Sequence, residues 1–327
     1  MSNQQKPRDL FDLFCDCIYG QAQIQICLQF LLGLSFFFLF QIFWRTIVPS
    51  MTFEKDYLIT NDRIVISSRP LWIPPTLQED AIKHDSNLIS YDRLSLLDPK
   101  LADHLMNAFR AEPWVREVRS VRLEYPAEVI IDAEFRQPVA FVETDSVIKD
   151  GISSRSTYQI DADGVLLPTD YLAAAVSTDP RSLHDYLWIE GISSTPIGIY
   201  GQLWGDPILY EAALLADFLR GCFKQLAIAV IHIPNDVKTE KQVVEKLSEE
   251  RIWRLETVKG REIIWGSFPI SDVIRIRSGS RTDYETAKQE AFQNQNQKLA
   301  RLLDLAKGKS LDEIDEDLFP IDLTKSE

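Results

Sequence analysis

From Phe30 to Trp44 the chain reads FLLGLSFFFLFQIFW, with no charge and a single amide, Gln41. Extended back to Ile24, the run covers 24–44. As a helix rising ~1.5 Å per residue it spans ~31 Å, the thickness of a ~30 Å hydrocarbon core. No polar stripe interrupts Phe30–Phe40, so the run does not read as the buried helix of a soluble protein. No small-x-small pair follows it, as a cleavable signal peptide requires; the next residues are Thr46-Ile47-Val48-Pro49. Trp44 and Arg45 mark one interface with an aromatic and a snorkelling cation. The sequence predicts a cytoplasmic tail at 1–23 and an uncleaved transmembrane signal anchor at 24–48. Flanking charges are balanced, Lys6 and Arg8 against Arg45 and Lys55. The bulk, however, follows the span. That shape implies a single-pass protein of the cytoplasmic (inner) membrane, N-terminus inside and C-terminal bulk exported.

Charge then divides cleanly. The chain holds 35 basic and 49 acidic residues, a net of −14. Residues 1–49 hold three of each (Lys6, Arg8, Arg45; Asp9, Asp12, Asp16), so the whole −14 belongs to 50–327. An acidic exported part excludes nucleic acid as a partner and attachment to anionic lipid by basic patches. Of the four cysteines, Cys15 and Cys17 precede the anchor and Cys27 lies in or at it. Only Cys222 is exported, so no intramolecular disulfide is expected. Cys15-x-Cys17 lacks the second pair or histidine that a zinc site needs.

Beyond the anchor, Ile64-Val65-Ile66 reads as a strand. A short helix is expected from Thr76 to His84, with Glu79 completing a capping box. A second starts at Asp98 as N-cap and Pro99, with Leu101, Leu105, Ala108 and Phe109 on one face. The period then changes to 2. Val115, Val118, Val121 and Leu123 lead to Tyr125-Pro126, and Val129, Ile131, Ala133 and Phe135 follow, which predicts a hairpin. Asp161-Ala162-Asp163-Gly164 lacks the distal ligands of a calcium loop and reads as a second hairpin turn. Leu187–Gly191 and Leu226–Ile233 read as strands and Pro207–Phe223 as a helix. Residues 252–257 and 262–266 read as a hairpin about Lys259-Gly260, and Asp283–Ala306 as a polar helix.

Glu112-Pro113-Trp114-Val115, Val118, Val121, Tyr125-Pro126, Val129-x-Ile131-x-Ala133 and Arg136-x-Pro138-Val139-Ala140 follow one another at fixed spacing. This string resembles the end of the POTRA domain in the FtsQ/DivIB family of bacterial cell-division proteins. Tyr125 stands where the family commonly has Trp, and Phe135 where it usually has Glu. Gly164 in its Asp-containing hairpin, Leu187–Gly191, Ile263–Gly266 and the closing Ile321-Asp322-Leu323 are similar to later elements of that family. The stretches 144–157 and 169–185 are insert-like. The resemblance implies an α+β fold: one transmembrane helix, a POTRA-like domain at 60–143, and a β-rich domain at 144–327. Residues 311–327 form an acidic tail, with seven acids against Lys325.

No catalytic constellation stands out. His84, His104, His184 and His232 have no second ligand at helical spacing, and no P-loop, dinucleotide glycine cluster or nucleophile elbow is present. The expectation is therefore a non-enzyme, with no cofactor, metal or small-molecule substrate. Partners are expected to add to exported sheet edges by β-augmentation. The expected edge is the last strand, Phe319, Ile321, Asp322, Leu323 and Thr324, with Pro320 lacking an N–H. The resemblance implies FtsL- and FtsB-like membrane proteins and the septal peptidoglycan synthase complex as partners. Two alternatives remain: a POTRA-type docking protein for secretion or outer-membrane assembly, and an exported enzyme with a noncontiguous site.

Overall fold

The computed structural model describes residues 25, 28–46, 56–84, 94–147, 153–169, 186–234, 251–268 and 281–324. The expected tail 1–23, its Cys15 and Cys17, the insert-like residues 170–185, His184 and Glu327 lie outside them. The chain is a mixed α+β protein with one N-terminal apolar helix. That helix, α1 (Leu28–Thr46), is long and apolar enough to cross a membrane, and none of it is buried by the rest of the chain.

The chain forms two compact units. The first comprises 1–65, 90–102 and 122–130. Here Leu58 bridges Ser95, and the Ile59 N–H donates to the Leu94 carbonyl at 2.8 Å. Its hairpin tip carries a cis Tyr125-Pro126 bond and Ala127 at φ 46°. Arg63 donates to the Pro126 carbonyl at 3.1 Å, and the Tyr57 and Tyr125 rings lie 5.8 Å apart. The second unit comprises 66–89, 103–121 and 131–327.

In chain order the first elements are strand β1 (Ile64–Ser67), helices α2 (Leu77–His84) and α3 (Leu101–Ala111), and strands β2 (Val115–Glu124) and β3 (Glu128–Phe135). The two expected helices and the expected hairpin form where the period predicts them. Asp98 Oδ1 accepts from the Lys100 N–H at 2.9 Å, the cap that starts α3. The three strands stand in the order β1-β3-β2. Trp114 is buried with Ile73, Leu77 and Leu167, at the corner where α3 gives way to β2.

An eight-stranded mixed sheet dominates the second unit. Its strands are β4 (Pro138–Val147), β5 (Ser153–Asp161), β6 (Leu166–Leu167), β7 (Leu187–Ile192), β8 (Ile228–His232), β9 (Trp253–Thr257), β10 (Glu262–Gly266) and β11 (Ile321–Asp322). Their order is β11-β10-β9-β8-β7-β4-β5-β6. Strand β4 passes through the expected boundary at 143/144, and Thr144–Val147 pairs with Ser153–Ser156. The described part of the 144–157 stretch is thus ladder.

Alternate residues of the sheet face a helical layer. Helix α4 (Pro207–Leu219) is buried almost all round, through Ile208–Ala216 and Leu219. Such a helix belongs in a core. Asp206 caps it, accepting the Ile208 N–H at 2.8 Å, with Pro207 at the first position. The expected helix to Phe223 ends four residues early. A short helix, α5 (Phe223–Leu226), follows, and Ala227 at φ 55° turns the chain into β8. Helix α6 (Arg281–Ala306) supplies Tyr284, Ala291, Leu302 and Ala306 to the same core.

Candidate interaction edge at the chain's end

Strand β11 ends the sheet, paired in parallel with β10 through Ile263–Ile321 and Ile264–Asp322. The expected strand Phe319–Thr324 is reduced to two residues, flanked by a cis Phe319-Pro320 bond and a bend at Leu323. The Leu323 N–H donates to the Ile264 carbonyl at 2.9 Å. In a parallel pair successive residues alternate in the direction their backbone groups point. Ile321 and Leu323 therefore bond inward, and Pro320, Asp322 and Thr324 face outward. Pro320 has no N–H. The Thr324 N–H is taken by Asp322 Oδ1 at 2.9 Å, and the Thr324 hydroxyl donates to the same oxygen. A partner strand therefore meets neither a Pro320 nor a Thr324 N–H here. The side chains divide the same way. Ile321 and Leu323 are buried in the core, while Asp322 and Phe319 are half-buried and Thr324 is exposed.

What holds this edge was invisible in the sequence. Arg261, just before β10, donates to the carbonyls of Leu311 at 2.9 Å and Ile314, and its guanidinium lies 5.0 Å from the Phe319 ring. Thr257 donates to Asp312 Oδ1 at 2.6 Å, and Lys259 Nζ to the Asp312 carbonyl at 3.0 Å. Much of the acidic run is thereby strapped onto the β9–β10 hairpin, as two 3-10 turns at Leu311–Glu313 and Glu316–Leu318. Leu311 is fully buried. Of the described acids in this run, Glu313, Asp315, Glu316 and Asp317 stay exposed, Asp312 is buried and Asp322 half-buried. Fifty-odd residues separate these partners, and no local pattern announces them.

The remaining motif residues serve the fold. Arg136 pairs with Asp161 at 2.9 Å; Asp161 Oδ1 accepts the N–H groups of Asp163 at 2.9 Å and Val165 at 2.8 Å. This fixes the hairpin in which Gly164 takes φ 68°. Burial pushes the Asp161 carboxyl up, and Asp163 beside it adds to that. Asp163 in turn holds Arg116 and accepts from the Tyr284 hydroxyl at 2.7 Å. Val115 is buried, and Pro138 opens β4 opposite Asp161. Pro113 precedes Trp114 in the turn from α3 to β2.

Titratable chemistry is sparse. Among the described residues, no three His, Cys, Asp or Glu side chains stand together as a metal set. His84 bonds Glu112 at 3.0 Å, whose carboxyl is raised by burial. Cys222, half-buried, is pushed up to about 11 by burial, so it carries no activated thiolate. Glu211 pairs with Arg251 inside the core, and burial raises it to about 7. No family model matches the chain, and no curated protein matches it.

Proposed function

We propose that the chain is a non-enzymatic, membrane-anchored scaffold of the bacterial division machinery. Its N-terminus lies in the cytoplasm and its sheet-bearing bulk outside. It recruits other single-span division proteins, and through them the septal peptidoglycan synthase complex, at the exported edge formed by β11. The observation that carries this reading is the place of Ile321-Asp322-Leu323. The closing motif of the resemblance stands at one end of an eight-stranded sheet, the position from which a strand can be added. Trp114, Pro126, Arg136 and Gly164 support it by occupying turns and corners where their residue types are needed.

The outward edge carries little hydrogen-bonding capacity, so specificity falls to Phe319, Asp322 and Thr324. The test is a crosslinking pull-down from membranes combined with imaging of a tagged copy. Septal signal and recovery of single-span division proteins, lost in Asp322→Lys, are expected. Uniform envelope signal sinks the reading. Deleting 311–327 is a poor test, because it removes the buried Leu311, Ile321 and Leu323.

A further inference from the structure

The eight-stranded sheet has a second face. On β4 and β7, Ala140, Val142, Leu187 and Ile189 point into the helical core, and Phe141 and Trp188 point the other way. Cross-strand pairing lays two rows across this other face. One runs Phe141, Trp188, Val230, Glu256, Glu262; the other runs Glu190, His232, Arg254, Ile264. The first row changes from aromatic to acidic along its length.

Two adjoining cavities follow that gradient. The apolar one, about 340 Å³, is lined by Tyr186, Trp188, Phe223, Val230 and Val258, with Lys224 and Glu256 at its borders. Trp188 is 4% exposed, and among the described residues its indole N–H has no hydrogen-bond partner. The acidic cavity, about 660 Å³, shares Glu256 and adds Glu190, Glu262, His232 and Arg254. Three glutamates there stand with one arginine, Arg254, which pairs with Glu262 at 3.2 Å. His232 Nε2 lies 2.8 Å from Glu256, and Nδ1 lies 4.0 Å from Glu190.

We propose that this face is a docking groove for a basic, amphipathic segment of a partner protein. Its aromatic or aliphatic anchor enters the pocket at Trp188, and its Lys or Arg side chains lie over Glu256, Glu262 and Glu190. Charge complementarity selects this occupant: the carboxylates gather at one end, and Lys224 keeps a cation from the other. Strands spaced ~4.8 Å put Glu256 on β9 ~10 Å from Trp188 on β7, one i to i+7 step of a helix. The partner segment therefore carries its anchor and its cation about two turns apart. The groove lies on strands β7 to β10 and does not depend on the terminal edge.

The test places p-benzoylphenylalanine at Val258, and separately at Ile252, in the full-length chain in its own membranes. Both side chains line the groove and are about half exposed, at 52% and 50%. Irradiation followed by mass spectrometry of the adduct reads the partner peptide. The expected adduct is a segment of another protein with Lys or Arg six to eight residues from an apolar anchor. Its yield falls about tenfold in Glu256→Arg/Glu262→Arg, the loss of one strong charged contact. Should that double variant melt early, Glu262→Gln, at a half-exposed side chain, lowers the yield about threefold. An adduct within the same chain, to a second copy, to lipid or to an acidic segment overturns the proposal. So does an absent adduct, or a yield indifferent to the charge changes.

Discussion

The two ends of the eight-stranded sheet stop in different ways. At the β6 end the chain covers its own edge. The Leu166 N–H donates to the Gln202 carbonyl and the Gly201 N–H to the Leu166 carbonyl, both at 2.8 Å, and the Trp204 N–H reaches the Gly164 carbonyl at 3.0 Å. Backbone groups are consumed by backbone groups, so this end offers a partner strand little. At the β11 end no such cover exists among the described residues. There the edge is shortened to two residues and blunted by Pro320 and by the Asp322 carboxylate. One end is closed by pairing, the other by side-chain chemistry. The Asp322 carboxylate can turn aside and release the Thr324 N–H, whereas Pro320 has none to give, so the β11 end discourages indiscriminate edge pairing.

The largest effect is expected from breaking the closed end. Trp204 is buried against Tyr158, ring centroids 5.2 Å apart, and its indole N–H donates to Ser194 at 3.1 Å. Trp204→Ala should cost about 3–5 kcal/mol in denaturant unfolding, as large-to-small core changes do. A loss below about 1 kcal/mol would mean that the covering loop is not part of the cooperative core.

The next effect separates global stability from events at the open end. Glu211 has an ordinary value of 4.5 and is raised to about 7 in the fold, chiefly by burial, against the pull of Arg251. A folded value above the unfolded one means that the folded state holds the proton more tightly. Its contribution is fully present below pH 4.5 and is lost as pH rises through 7. The loss is about 3 kcal/mol at ~1.4 kcal/mol per unit. Unfolding free energy measured from pH 4 to 8 should show this decline, and Glu211→Gln should flatten it. Amide exchange at Leu323 through local opening should not follow that window. If it does, the β11 end opens only with the whole unit.

Most of the elements could be read from the residues, because each rests on a local pattern. The 3.6 period of α3, the alternation of β2 and β3, and the Asp-Gly turn after β5 each lie within about a dozen residues. The shortened last strand could not be read. The segment before it is bound by Arg261, Thr257 and Lys259 from another hairpin. The open face with Trp188 was equally hidden. Its aromatic-to-acidic gradient runs across strands, so neighbours in space are some twenty to fifty residues apart in the chain.

The strap itself supplies a third, smaller effect. Arg261 is largely buried and gives charged hydrogen bonds to two carbonyls. Arg261→Ala should cost about 2 kcal/mol, the range for a hydrogen bond to a charged group. Exchange should accelerate at Ile314 and Phe319 in the strap and stay unchanged at Leu166. Equal acceleration at both ends would erase the distinction between them.

The smallest effect is the most specific to the open end. Asp322→Ala removes the oxygen that accepts both the Thr324 N–H and the Thr324 hydroxyl. One modest hydrogen bond, about 0.5–1 kcal/mol, corresponds to a two- to five-fold faster exchange of the Thr324 amide. The inward Leu323 amide, held by the Ile264 carbonyl, should not change. The variant should also associate with itself more readily in sedimentation, because an outward donor has been uncovered on an edge strand. Unchanged exchange at Thr324 would show that the carboxylate does not guard the edge, and would leave Pro320 as its only blunting device.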